Sequence, residues 1–206
     1  ILGTTCRRDL EDFTRLHIRV DASATTPPVS LEVAFYICFN NMAAGSPSPE
    51  INIFEAVDES TSYLTSGTAA DQQLLKTRAI TVGSSEIQIP STLVKSGYNV
   101  SPFIIEGKSP GIGDLTVIIR QGGAEIARKS INLELRPITS FFQTFRVPAI
   151  GEDSQDVSQD YNPDFISSDD YLLVVHGFNM DPVDKANWPP TVFKRLWWQG
   201  YKGQLG

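Results

Sequence analysis

The sequence predicts a mainly β protein that finishes in a short segment of α/β character. Three observations carry this expectation. Residues 1–137 hold runs of five to ten residues in which apolar and polar side chains alternate, separated by Gly, Pro and Ser. Residues 138–168 lose that alternation and turn acidic. From residue 169 a continuous apolar run is followed by a stretch with helical spacing. The predicted organisation is therefore a β-sandwich accessory domain (1–137), a crossover and acidic linker (138–168), and an incomplete α/β strand–loop–helix (169–206).

The elements follow in order. "TRLHIRV" (14–20) sets Leu16, Ile18 and Val20 on one face, the period-two pattern of a half-buried strand. His17 then falls on the opposite, outer face. "SLEVAFYICF" (30–39) places Leu31, Val33, Phe35, Ile37 and Phe39 together. The loop "GSPSPE" leads into "EINIFEAV" (50–57). Further strands are expected at "EIQIP" (86–90), "SPFIIEG" (101–107), "DLTVIIR" (114–120) and "ARKSINLEL" (127–135). Between the last two, "QGGAE" signals a hairpin, because paired glycines accept the positive φ of a tight turn. One short helix is expected at 68–77, with Thr68 as its N-cap. Short strands at this spacing predict an antiparallel, immunoglobulin-like β-sandwich, an architecture shared with carbohydrate-binding modules.

"ITSFFQTFRVPAI" (138–150) adds a strand or crosses between domains. "GEDSQDVSQDYNPDFISSDD" (151–170) has many acids and few aliphatics, the composition of a solvated linker. It lacks the Gly and the twelfth-position Glu of an EF-hand loop, so no calcium site is expected. "YLLVV" (171–175) reads as a parallel strand covered on both faces. After the loop "FNMDPVDKANWPP", "TVFKRLWWQGY" (191–201) reads as a helix with Pro189 and Pro190 before it or in its first turn. Val192, Leu196 and Gln199 share one side, with Phe193 and Trp197 beside them. The next strand, the parallel one that would complete a βαβ unit, is expected to be missing.

Composition excludes several classes. At 206 residues, 41% hydrophobic and 20% charged, the chain has the make-up of an ordinary soluble globular protein. A net charge of −7, with the only basic clusters at Arg7-Arg8 and a dispersed Lys194, Arg195 and Lys202 set, argues against a nucleic-acid surface. No apolar run approaches a membrane span, about 20 residues. The opening "ILGTTCRRDL" has no initiator Met, basic n-region or long h-region, so the chain is expected to begin inside a larger gene product or after processing. Cys6 and Cys38 are the only cysteines, and two readings stay open: a disulfide across adjacent strands, or two buried thiols. Two cysteines and two distant histidines make no zinc spacing, and no cofactor is expected.

Two motifs compete for a catalytic role. "GKSPG" (107–111) satisfies G-x-S-x-G in letters only. A nucleophile elbow needs a helix after the serine, whereas Pro110 follows Ser109 and a strand comes next. Proline also lacks the N–H that the residue after the serine must offer to an oxyanion. Ser109 is expected in a β-turn. His176-Gly177 has the better context, because a glycine after a buried strand lets the chain turn and aims backbone N–H groups at a ligand.

"DYLLVVHGFNMD" followed by "FKRLWWQGYKG" resembles the opening of α/β-hydrolase domains in large bacterial surface or secreted proteins. The resemblance covers about residues 169–206, and "CRRDLEDFTRLHIRV" upstream is similar to the segment preceding such domains. It implies an esterase or lipase-like parent at the cell surface or outside the cell. Phe178 N–H would be one oxyanion donor, with His176, Gly177 and Asn179 shaping the loop. The nucleophile, acid and catalytic histidine would all lie beyond Gly206, so this chain alone is expected to be inactive.

The competing expectation is a non-enzymatic module whose β-domain binds a glycan, a cell-wall polymer or a neighbouring subunit. An assembly subunit completed by strands from a partner is a third. Trp188, Trp197 and Trp198 do not change this choice, since helical neighbours point about 100° apart and make no flat sugar platform.

Overall fold

Period-two alternation obliges each strand to bury one face, and two sheets closing on each other meet that need. A computed structural model describes residues 6–9, 13–19, 33–61, 68–69, 72, 79–90, 100–146, 158–159, 171–175, 181–198 and 204–205. They fall into two units, Ile1–Arg136 and Pro137–Gly206.

The first unit contains β1 (Cys6–Asp9), β2 (Phe13–Arg19), β3 (Val33–Asn40), β4 (Glu50–Glu55), β5 (Ile80–Val82), β6 (Ile87–Ile89), β7 (Val100–Ser109), β8 (Gly111–Gln121) and β9 (Ala124–Arg136). One sheet has the order β1-β9-β8-β3-β6 and the other β2-β7-β4-β5. All pairings are antiparallel except β1 with β9, which run parallel. A single core joins the sheets. Phe35, Ile37, Phe39, Leu115, Leu133 and Leu135 come from the first, and Ile18, Ile51, Ile53, Val82, Phe103 and Ile105 from the second. Each such side chain contributes roughly 1.5–3 kcal/mol by leaving water. Ile104, on the outer face of the second sheet, is also fully buried, under Phe13 and Ala56. Arg15 fastens the loop after β4 by donating to the carbonyls of Asp58 (2.9 Å) and Ser60.

β7 and β8 belong to different sheets although only Pro110 separates them. Ser109 is therefore the last residue of a strand at a sheet-to-sheet crossing, not part of a β-turn. Its hydroxyl donates to Glu50 Oε2 at 3.2 Å, and Lys108 Nζ lies 3.5 Å from the same oxygen. Ile112 fixes the loop after β3: its N–H donates to Ser46 Oγ (3.1 Å) and its carbonyl accepts from Ala43 N–H (3.0 Å). The β8–β9 hairpin turns at Gly122 and Gly123, with φ of 58° and 83°. β1 covers only residues 133–136 of β9. On the longer arm before them, Arg128 makes a two-point contact with Glu125 (2.6 Å each), and Lys129 stands opposite Val117 on the side facing the core.

A disulfide between Cys6 and Cys38 is excluded by the strand order. Cys6 lies in β1 and Cys38 in β3, with β9 and β8 between them. Three strand spacings of about 4.8 Å put their backbones roughly 14 Å apart, beyond the ~7 Å limit for a bridge. The expected 68–77 helix is described at 68, 69 and 72, which are helical; Thr68 lies inside the helix instead of capping it, and the other positions lie outside the described residues.

The second unit has a 3-10 turn at Ile138–Phe141, a two-residue antiparallel pair β10 (Phe145–Arg146) and β11 (Ser158–Gln159), and then β12 (Tyr171–Leu172), helix α1 (Pro182–Trp198) and β13 (Gln204–Leu205). β12 and β13 pair in parallel, so the βαβ partner strand expected to be missing is present, as Gln204–Leu205. The helix begins nine residues before the predicted start. Asp181 caps it, its Oδ1 accepting from the N–H groups of Val183 (2.8 Å) and Asp184 (2.9 Å), and Pro182 takes the first helical position. Pro189 and Pro190 therefore sit inside the helix. They remove the donors owed to the carbonyls of Lys185 and Ala186, both exposed residues where solvent can substitute.

Residues 138–142 are not bare linker. Ile138, Phe141 and Phe142 form a core with Phe193 of α1, and Val174, Val192 and Leu196 pack against it. Phe141 and Phe193 stack at 5.1 Å between ring centres. The "YLLVV" run is not covered on both faces: Leu173 is 72% and Val175 82% exposed. A pairing only two residues long gives its apolar face no second layer among the described residues.

The crossing at Pro110 generates a test. A Cβ on Gly111, at φ +153°, would press on the Pro47 carbonyl and lie 2.7 Å from Pro49 N. Gly111→Ala is expected to lower stability by about 2 kcal/mol or more in urea unfolding, whereas Gly45→Ala, with open space at its Cβ, loses only the cost of its positive φ, roughly 1 kcal/mol.

Candidate functional site

The oxyanion-loop residues His176, Gly177, Phe178 and Asn179 lie outside the described residues. The elements on either side of them are described. β12 and the residues to Val175 lead in, and the capped first turn of α1 begins two residues after Asn179. The unsatisfied N–H groups of a helix N-terminus carry partial positive charge and favour an anion in front of them. Asp181 already occupies two of those donors.

A second arrangement lies on the outer face of the five-stranded sheet. Cross-strand register sets Asn40 of β3 beside Asp114 of β8, and Asp114 beside Asn132 of β9. Asn132 Nδ2 donates to Asp114 Oδ1 and Asn41 Nδ2 to Asp114 Oδ2, both at 2.9 Å. Asn41 reaches Asp114 from the left-handed region, φ 49°. One row along, Thr116 Oγ1 lies 2.7 Å from Ser130 Oγ and donates to Asn40 Oδ1 at 3.3 Å. Thr116 is fully buried, while Asn41 and Ser130 are exposed. The amides of Asn132 and then Asn41 hold the Asp114 carboxyl below the usual aspartate range, against a smaller opposing effect of burial.

Cys38 sits beside this array, 4% exposed, with Asn40 Nδ2 3.8 Å from its sulfur. Burial pushes its thiol upward, and Glu86 adds to the shift against Arg128 and Arg120. Further along the face, Arg120 pairs with Glu86 at 2.8 Å and lies over the Tyr36 ring, 5.2 Å from its centre. His17 is exposed on the other sheet. Among the described residues no three His, Cys, Asp or Glu side chains converge as a metal site, and no helix is long and apolar enough to cross a membrane.

The sequence reading missed the Asn40–Asp114–Asn132 row. Each residue alone reads as an ordinary polar position on an outer strand face. Only the register brings them side by side, and register is not written in a period-two pattern. No protein family, curated protein or solved structure matches the chain.

Three outcomes follow. Asp114 has a lowered carboxyl pKa when folded, so its hydrogen bonds contribute stability that is present above its ordinary value of 3.8 and is lost as pH falls through the folded value. Asp114→Ala should therefore lose stability at pH 7, with the difference from wild type narrowing below about pH 3.8 in urea titrations. Cys38 should react with a thiol reagent at pH 8 at least about a hundredfold more slowly in the folded protein than in urea. Under oxidising conditions no intramolecular Cys6–Cys38 bond should appear in the folded protein by mass spectrometry.

Proposed function

We propose that this chain is a piece of a larger bacterial extracellular or cell-surface hydrolase of the esterase or lipase type. In this reading residues 1–136 are its accessory domain and residues 169–206 open its α/β-hydrolase domain. The observation that carries the reading is β12–α1–β13: a strand, a helix and a parallel partner strand, with His176-Gly177-Phe178-Asn179 between the strand and the helix cap. A parallel pair joined through a helix is the repeating unit of α/β domains. The bare side of Leu173 and Val175 supports it too, because parallel strands are ordinarily covered on both faces. Phe178 N–H is the proposed oxyanion donor, Gly177 gives the turn its room, and His176 and Asn179 hold the loop. Ser109 has no part in catalysis.

The accessory domain is read as immunoglobulin-like. Its β3-β8-β9 trio facing β2-β7-β4 reproduces the C-F-G and B-E-D groupings of that sandwich. The fold analogy suggests ester hydrolysis as the reaction class, and the reaction itself rests on groups beyond Gly206.

The test is to read the parent coding region past Gly206 and express the longer product. The reading requires a further strand, a G-x-S-x-G elbow, an acid and a histidine in that order. The longer product should then label with a fluorophosphonate, and Gly177→Val should slow labelling by about a hundredfold through the loss of oxyanion geometry. Residues 1–206 alone should not hydrolyse p-nitrophenyl acetate above background. A stop codon or an unrelated downstream segment would sink the reading.

A further inference from the structure

Helix α1 contains two competing start signals. Asp181 and Pro182 open it: the Asp181 carboxylate accepts from the N–H groups of Val183 and Asp184, and its carbonyl accepts from Lys185 N–H at 3.0 Å. Further along, Pro189-Pro190 forms a second start signal in the middle of the helix. Each proline withholds a donor from the preceding turn. Each also disfavours helical geometry in the residue before it, here Trp188 and Pro189. Thr191 Oγ1 donates back to the Asn187 carbonyl at 2.8 Å, a bond that bends a helix rather than tightening it.

The two halves differ in what holds them. Past the prolines, buried Phe193 stacks on Phe141, with Val192 and Leu196 packed beside it. Before the prolines, Val183, Asp184, Lys185, Ala186 and Asn187 are all exposed, Val183 to 66%. Five successive residues pass right round a helix with about 3.6 to the turn, so no side of this stretch is packed. Helices shorter than roughly 12–15 residues are marginal in water without a buried face. The first half therefore depends on its cap and on backbone continuity with the second, and the prolines weaken that continuity. Its unwinding leaves the Phe141–Phe193 stack in place, because Pro190 then becomes the first residue of a shorter helix.

We propose that α1 is a two-state gate: residues 182–188 wind and unwind on the Pro189-Pro190 pivot while residues 191–198 stay docked. Unwinding extends the connection between β12 and the docked half from residues 173–181 to residues 173–189. A partner or substrate that prefers one state shifts the balance by that preference. This behaviour belongs to α1 alone and does not depend on the hydrolase reading.

Amide hydrogen exchange on residues 1–206 tests it. The Ala186, Asn187 and Trp188 amides should exchange at least about a hundredfold faster than those of Phe193, Lys194, Arg195 and Leu196, since local opening spares the packed half. Asp181→Ala should bring the first set to the rate of an unstructured peptide and leave the second set unchanged. Pro189→Ala combined with Pro190→Ala restores both donors. It should slow the first set by at least about tenfold and raise helicity in circular dichroism. A smaller difference between the two sets in the wild-type protein overturns the proposal. So does equal acceleration of both sets by Asp181→Ala, the mark of a helix that opens as one piece. No slowing of the first set in the double variant overturns it as well.

Discussion

β7 and β8 carry the chain through the interior of both sheets of the first unit with Pro110 as the only residue between them. β7 lies between β2 and β4, and β8 between β9 and β3. This crossing fixes which face of each central strand looks inward, and every other strand takes its orientation from one of the two. Proline suits the corner because its ring sets φ and its missing N–H owes no ladder bond. Gly111 suits it because any side chain there would meet the Pro47–Pro49 backbone. Ile112 then stitches the preceding loop to the corner from both its N–H and its carbonyl. The sandwich is held together at its middle by a place with almost no freedom to vary.

Much of the first unit was legible in its sequence, for a simple reason. Alternation such as Phe35, Ile37 and Phe39 is dictated by burial of one face, and burial is what the core uses. Cys6–Asp9, which is too polar to carry that signal, and the three-residue Ile80–Val82 were not read. Beyond the β8–β9 hairpin marked by Gly122-Gly123, pairing was not legible, which is why Cys6 and Cys38 were open to a bond that two intervening strands forbid. The Asn40–Asp114–Asn132 row was hidden for the same reason. Ser109 was set aside on chemical grounds, since the proline after it removes a needed donor, and it lies at a crossing between sheets, not in the β-turn that was expected.

In the second unit the strongest local punctuation misled. Pro189-Pro190 marks a helix start in most contexts, yet Asp181-Pro182 is a complete start signal and takes precedence once the cap bonds form. The aromatic pair Phe141 and Phe193 then ties the first residues of the unit to its helix, and little else is buried with them. Among the described residues, the strand pairs of this unit are two residues long.

The arm of β9 that runs past β1 has a bearing on how the protein behaves in company. A strand arm of this length would welcome the backbone of another molecule if both its faces were smooth and apolar. Lys129, set opposite Val117 where the pattern calls for an apolar residue, would have its charge stripped of water by any strand stacking alongside. The paired Arg128 and Glu125 make the other face equally unwelcoming to an apolar neighbour. The sandwich can thus keep a long hairpin for its own sheet while refusing to extend that sheet from one copy to the next.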